Sequence, residues 1–129
     1  MTPSSPGLVL IVDDNEKNRR LVRDVLRNSG FRTIEAADGR AAIALADDRQ
    51  PDVVLLDLHL PDMEGRDVAR ALGEEERTAH IPVVALTALR YPDGGARLLA
   101  DGFSGYLEKP IDVGEFPAQV RSYVRTARD

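Results

Sequence analysis

Val53-Val54-Leu55-Leu56-Asp57-Leu58-His59-Leu60-Pro61-Asp62-Met63-Glu64-Gly65 is the stretch that decides the fold. Its first four residues are all apolar and branched, the run stops on a carboxylate, and turn chemistry around Pro61 follows before a helical period begins. A short continuous apolar run of this kind belongs to a strand buried on both faces. Working outward, the pattern recurs. Leu8-Val9-Leu10-Ile11-Val12 stops on Asp13-Asp14, Val83-Val84-Ala85-Leu86 stops on Thr87, and Tyr106-Leu107-Glu108 runs into Lys109-Pro110. Strands are expected near residues 8–12, 32–36, 52–57, 81–86 and 105–108. They alternate with longer stretches of helical period, the βαβ signature of an α/β, doubly wound parallel sheet.

The helical stretches have readable ends. Glu16 to Asn28 puts Leu21, Val22, Val25 and Leu26 on one stripe with arginines opposite, begins after the N-capping pair Asp14-Asn15, and stops at Gly30. Asp38-Gly39 opens a second helix through Ala42, Ile43 and Leu45 that ends before Pro51. Glu64 to Leu72 is a third, extendable through Glu74-Glu75-Glu76. The fourth, Pro92 to Ala100, carries Gly94 and Gly95, which cost ~1 kcal/mol each against alanine inside a helix. The fifth, Val113 to Arg128, lines up Phe116, Val120, Tyr123 and Val124; Pro117 falls in its first turn, where no donor is lost.

Composition excludes several classes. With 129 residues, 43% hydrophobic, the chain can bury one core without staples. It has no cysteine, which rules out disulfides and thiolate metal sites and fits a cytoplasmic location. A net charge of -5 without a basic stripe argues against direct nucleic-acid binding. No apolar run approaches the ~20 residues of a membrane span, so no membrane insertion is expected. Residues 1–7 read as a flexible polar leader and 8–129 as the domain, with no output domain after the last helix.

Ligands of open α/β sheets bind beyond the carboxyl ends of the strands. Asp13, Asp14, Asp57, Thr87 and Lys109 all fall there. Taken singly, the aspartates are ordinary helix caps or turn residues, and a lysine after a strand is ordinarily a solvated end. Four runs delivering them to one edge favour a pocket. Carboxylates gathered together repel one another, and a hard cation relieves the repulsion. Mg²⁺ suits oxygen ligands, whereas zinc would find no nitrogen or sulfur ligand apart from His59. Pro110 restrains the backbone after Lys109 and is placed to hold a cis bond that aims the lysine inward. A carboxylate flanked by Mg²⁺, an ammonium and the Thr87 hydroxyl is equipped to attack a phosphoryl group.

Val12-Asp13-Asp14, Leu56 to Gly65, Ala85-Leu86-Thr87-Ala88 and Gly105 to Pro110, in this order and spacing, resemble the receiver domains of two-component response regulators, the CheY-like group. The resemblance runs from Leu8 to the last helix. It implies a flavodoxin-like sheet of five strands in order 2-1-3-4-5 with five helices. It implies that Asp57 accepts a phosphoryl group from a histidine kinase or a histidine phosphotransfer protein, so that the chain is a signalling phosphoacceptor and not a turnover enzyme. Asp14, Asp57 and the backbone carbonyl of His59 would bind Mg²⁺ directly, and Asp13 through water. Lys109 would contact the phosphoryl group, and Thr87 with Tyr106 would form a switch that alters the surface of helix 4, strand 5 and helix 5.

The side chains of His59 and Leu89 flank this pocket and are expected to modulate loss of the phosphoryl group. His80 precedes the fourth strand and belongs to the opposite edge. Lys17, Arg19, Arg20 and Arg23 make the first helix a candidate docking face for the phosphodonor, against the simpler account of a solvated charged face. Two rivals stand beside this reading. A haloacid-dehalogenase-type phosphatase would carry its nucleophile after the first strand with an acid two residues on, whereas Asp57 is followed by Leu58-His59. A receiver-like binding module independent of phosphorylation would not need the Asp, Thr and Lys set. A dinucleotide-binding fold lacks its glycine-rich turn, since Val12-Asp13-Asp14-Asn15 stands there.

Overall fold

Alternate residues of the central strands enter two separate cores, one on each face of a parallel sheet. The computed structural model describes residues 7–88 and 96–128. Its strands are β1 (Leu8–Val12), β2 (Arg32–Ala36), β3 (Val53–Asp57), β4 (Val83–Thr87) and β5 (Gly105–Glu108). Its helices are α1 (Glu16–Asn28), α2 (Gly39–Arg49), α3 (Gly65–Glu74), α4 (Ala96–Ala100) and α5 (Phe116–Arg128). The sheet order is β2-β1-β3-β4-β5, with every pairing parallel. Leu10, Val12, Val54, Leu56, Val83 and Ala85 pack with residues of α2, α3 and α4. Val9, Ile11, Val53, Leu55, Val84 and Leu86 pack with Val22, Leu26, Phe116, Val120 and Val124 of α1 and α5. Burial on both faces explains why these strands read as unbroken apolar runs.

β1, β2 and β5 and helices α1 and α2 have the expected bounds; several other ends move for local reasons. β4 begins at Val83, not residue 81, because Pro82 has no N–H and Ile81 N–H turns back to the Thr78 carbonyl at 3.0 Å. α3 stops at Glu74, short of the full acidic run, where the buried Thr78 hydroxyl donates to the Leu72 carbonyl at 2.7 Å. α5 begins at Phe116, not Val113. The preceding turn is held by Asp112, whose carboxylate accepts from Gly114 N–H at 2.9 Å and Glu115 N–H at 3.1 Å. The amino-terminal half of the expected fourth helix, with Pro92, Gly94 and Gly95, lies outside the described residues, as do residues 1–6 of the expected leader.

The stripe on α1 is narrower than expected. Val22 and Leu26 are buried, while Leu21 is 49% exposed. Neighbouring residues on a helix diverge by about 100°, so Leu21 and Val22 cannot share the centre of one apolar face.

Candidate functional site

All five strands point the same way, so the turns after β1, β3, β4 and β5 meet at one edge. Asp13 leaves β1 with its backbone still paired to β2, its N–H donating to the Ala36 carbonyl at 3.2 Å. The residue is buried, at 2% exposure. Oδ1 accepts from Asn15 N–H at 2.9 Å, and Oδ2 lies 3.4 Å from Lys109 Nζ. Asp14 beside it is exposed to solvent. Asp57, the last residue of β3, accepts from His59 N–H on Oδ1 at 3.2 Å and places Oδ2 3.7 Å from Lys109 Nζ. Lys109 therefore bridges two carboxylates. Its own N–H donates to the Thr87 carbonyl at 2.8 Å, which ties the β5 end to the β4 end, and its bond to Pro110 is cis.

Burial, above all, holds the Asp57 carboxyl above the usual carboxylate range. The His59 N–H and Lys109 oppose this, while the charges of Asp13 and Asp14 add to it. A bound cation would reverse the balance. One carboxylate oxygen from each of Asp13, Asp14 and Asp57 lies within 4.8 Å of the other two. Three converging carboxylates with no sulfur or imidazole among them fit a hard, oxygen-seeking ion such as Mg²⁺. A cavity of about 410 Å³ opens over the group, lined by Asp14, Asp57, His59, Thr87, Ala88 and Lys109.

Thr87 is buried, and strand alternation puts it on the same sheet face as Ala85. Ala85 pairs directly with Tyr106, which packs against the core on that face. Thr87 and Tyr106 thus share one side of the sheet with a small residue between them. His59 is exposed at the mouth of the cavity, Leu89 lies outside the described residues, and His80 lines a separate cavity at the other end of the sheet.

Two features were not legible in the chain. First, Arg19 is not part of an outward basic face. It donates through Nη1 to the Asp13 carbonyl at 2.7 Å and pairs with Glu35 at 3.3 Å, while Arg23 meets the same Glu35 at 3.4 Å. The only sequence signal was an acid in β2 able to face the arginines of α1. Second, an apolar cavity of about 290 Å³ adjoins the carboxylates, lined by Leu21, Val22, Leu86, Pro110 and Ile111 beside Asp13 and Lys109. The exposed Leu21 was its one available hint.

Comparison with known proteins agrees with the fold. The response regulator receiver domain family matches residues 9–121. The polar-differentiation response regulator DivK of Brucella anthropi is 38% identical over 122 residues, covering 95% of this chain and 99% of that protein. The chemotaxis protein CheY4 of Vibrio cholerae superposes with a TM-score of 0.83 at 29% identity, over 90% of this chain and 97% of that one. The receiver domain of a sensor histidine kinase from Pseudomonas aeruginosa, whose structure holds a magnesium ion in its active-site cleft, has a TM-score of 0.83 at 28% identity. It covers 95% of this chain and 99% of its own.

Proposed function

The chain belongs to the response regulator receiver domain family, and on that premise we propose that Asp57 accepts a phosphoryl group from a phosphohistidine donor with Mg²⁺ bound beside it. The observation that carries this reading is Lys109 Nζ standing 3.7 Å from Asp57 Oδ2 and 3.4 Å from Asp13 Oδ2, inside a cluster of three carboxylates. A carboxylate oxygen of Asp57 forms a bond to phosphorus as the phosphorus–nitrogen bond of the donor breaks, and the electron pair stays on the imidazole nitrogen. Lys109 stays in place to neutralise charge on the transferred group, and the Thr87 hydroxyl donates to one of its oxygens. Asp14, Asp57 and the His59 carbonyl would hold Mg²⁺ directly and Asp13 through water; the ion supplies further neutralisation of the phosphoryl oxygens. Water attack on the same phosphorus discharges the group, with the exposed side chain of His59 at the cavity mouth placed to influence it.

The donor is a histidine kinase or a histidine phosphotransfer protein. It reaches Asp57 over α1 and the segment after β5, where the apolar cavity with Leu21, Pro110 and Ile111 gives an apolar contact next to the acids. After transfer, Thr87 draws toward the new oxygens and Tyr106 turns into the space beside Ala85. That shifts the population of the α4-β5-α5 surface only by the difference in contacts between the two arrangements.

Incubation with acetyl phosphate tests the reading. Wild type with Mg²⁺ gains the mass of one phosphoryl group, and neither Asp57→Ala nor chelated wild type does. Labelling of the Asp57→Ala chain at the same rate would refute the assignment. In Thr87→Ala the label is still taken up, but the phosphorylation-induced NMR shifts at Tyr106 are lost.

A further inference from the structure

The turn that would supply the His59 carbonyl to the ion is fastened at two places. At its base, Gly65 N–H donates to the Leu58 carbonyl at 2.8 Å, and His59 bridges Glu64. A Cβ on Gly65 would lie 2.8 Å from Leu58 Cα, so the pinch needs glycine there. At its tip, Asp62 reaches the amino terminus of α2, far away in the chain. Oδ1 accepts from Gly39 N–H at 2.8 Å and Oδ2 from Arg40 N–H at 3.0 Å. The N-cap Asp38 already takes Ala41 N–H at 2.8 Å. The first three N–H groups of α2, which no helix can satisfy internally, are therefore divided between its own cap and a carboxylate from the β3–α3 turn. Met63 seats where a side chain on Gly39 would stand, and it packs into the core on the α2 side of the sheet.

We propose that Asp62 is a positioning residue for the cation site: by clamping the β3–α3 turn to the amino terminus of α2, it holds the His59 carbonyl in the orientation that the ion requires. The claim rests on the reading of the site as a Mg²⁺-dependent phosphoacceptor and adds a residue outside the acidic cluster. Asp62 is solvent-exposed and touches neither the ion nor the phosphoryl group, so the clamp acts through the turn. Groups that only orient metal ligands still move affinity measurably.

The test is a calorimetric Mg²⁺ titration of the unphosphorylated full chain, alongside thermal melts without Mg²⁺. Asp62→Ala raises the Mg²⁺ Kd by about tenfold, the low end of what groups that orient metal ligands contribute. The rate of labelling by acetyl phosphate returns close to wild type once Mg²⁺ is saturating. Asp38→Ala removes the other cap of α2 and lowers the melting temperature, but leaves the Kd within twofold of wild type, which a merely structural role for Asp62 would not distinguish. Asp62→Asn lacks the charge but keeps an acceptor oxygen, and its Kd falls nearer wild type than that of Asp62→Ala. An unchanged Kd in Asp62→Ala, an equal rise in Asp38→Ala, or equal values for the alanine and asparagine variants each overturns the clamp. Failure of wild type to bind Mg²⁺ or take up label would instead overturn the function on which it rests.

Discussion

The two ends of the sheet carry cavities of similar size but opposite chemistry. At the carboxyl end, about 410 Å³ is lined by Asp14, Asp57, His59, Thr87 and Lys109. At the amino end, about 500 Å³ is lined by Ala79, His80, Ile81, Pro82, Gly102, Ser104 and Tyr123. Volume does not tell them apart; strand direction does. In a parallel sheet every strand delivers its last residue to one edge, and the helices that follow begin there with free N–H groups and the positive end of their dipoles. Asn15 N–H on Asp13 and Gly39 N–H on Asp62 are two such donors found by carboxylates. The amino edge receives helix carboxyl ends, whose carbonyls repel anions. There Tyr123 packs over Gly105, and burial pushes its phenol up in pKa.

That contrast can be broken at its charged end first. Lys109→Ala removes the cation next to the buried Asp13 and next to Asp57. Labelling by acetyl phosphate should slow by roughly a hundredfold or more. Stability should fall by about 1–3 kcal/mol in urea melts, since a carboxylate left buried without its partner is costly. Unchanged melts would mean that Asp13 does not depend on the lysine.

A smaller effect of opposite sign is expected at Asp57. Its folded pKa lies above the ordinary value of 3.8, so ionising it costs more in the folded chain than in the unfolded one. Stability is then greatest below the unfolded pKa and declines as pH rises through the folded one. Asp57→Asn should melt later than wild type at pH 7, by under roughly 1 kcal/mol after solvent screening, with the gap closing below about pH 3.8. Mg²⁺ should also narrow the gap at pH 7. A variant less stable than wild type at neutral pH would show that the lysine and the His59 N–H outweigh burial.

The smallest effect belongs to the other end. His80→Ala should stay within about 0.5 kcal/mol of wild type, with labelling and Mg²⁺ affinity unaltered. A loss of labelling would erase the distinction between the two edges.

Much of the fold was legible because its signals are local. The bounds of β1 follow from its apolar run and those of α1 from Asn15 as cap and the break at Gly30, while β2 and β5 stand at the expected places with mixed, partly exposed side chains. The shifted starts of β4 and α5 have a common kind of cause: Ile81 and Val113 have suitable side chains, but the missing N–H of Pro82, the turn of Ile81 N–H back to Thr78 and the Asp112 carboxylate holding the turn before Phe116 decided where regular structure begins. Of the site, Asp13, Asp14, Asp57, Thr87 and Lys109 were legible as residues at strand ends. The inward turn of Arg19 was not, because a helical period states which face a residue occupies and not which partner waits across it.

By itself, the order of residues determined the number of strands, their common direction and the acidic and basic groups at their carboxyl ends, because burial on two faces leaves an unmistakable local pattern. Only the tertiary structure decided that Lys109 sits between Asp13 and Asp57, that Arg19 and Glu35 brace the first acidic turn, and that Asp62 fastens the third strand's turn to α2. Those are distances between segments far apart in the chain. They depend on strand register and loop path, which no local period encodes.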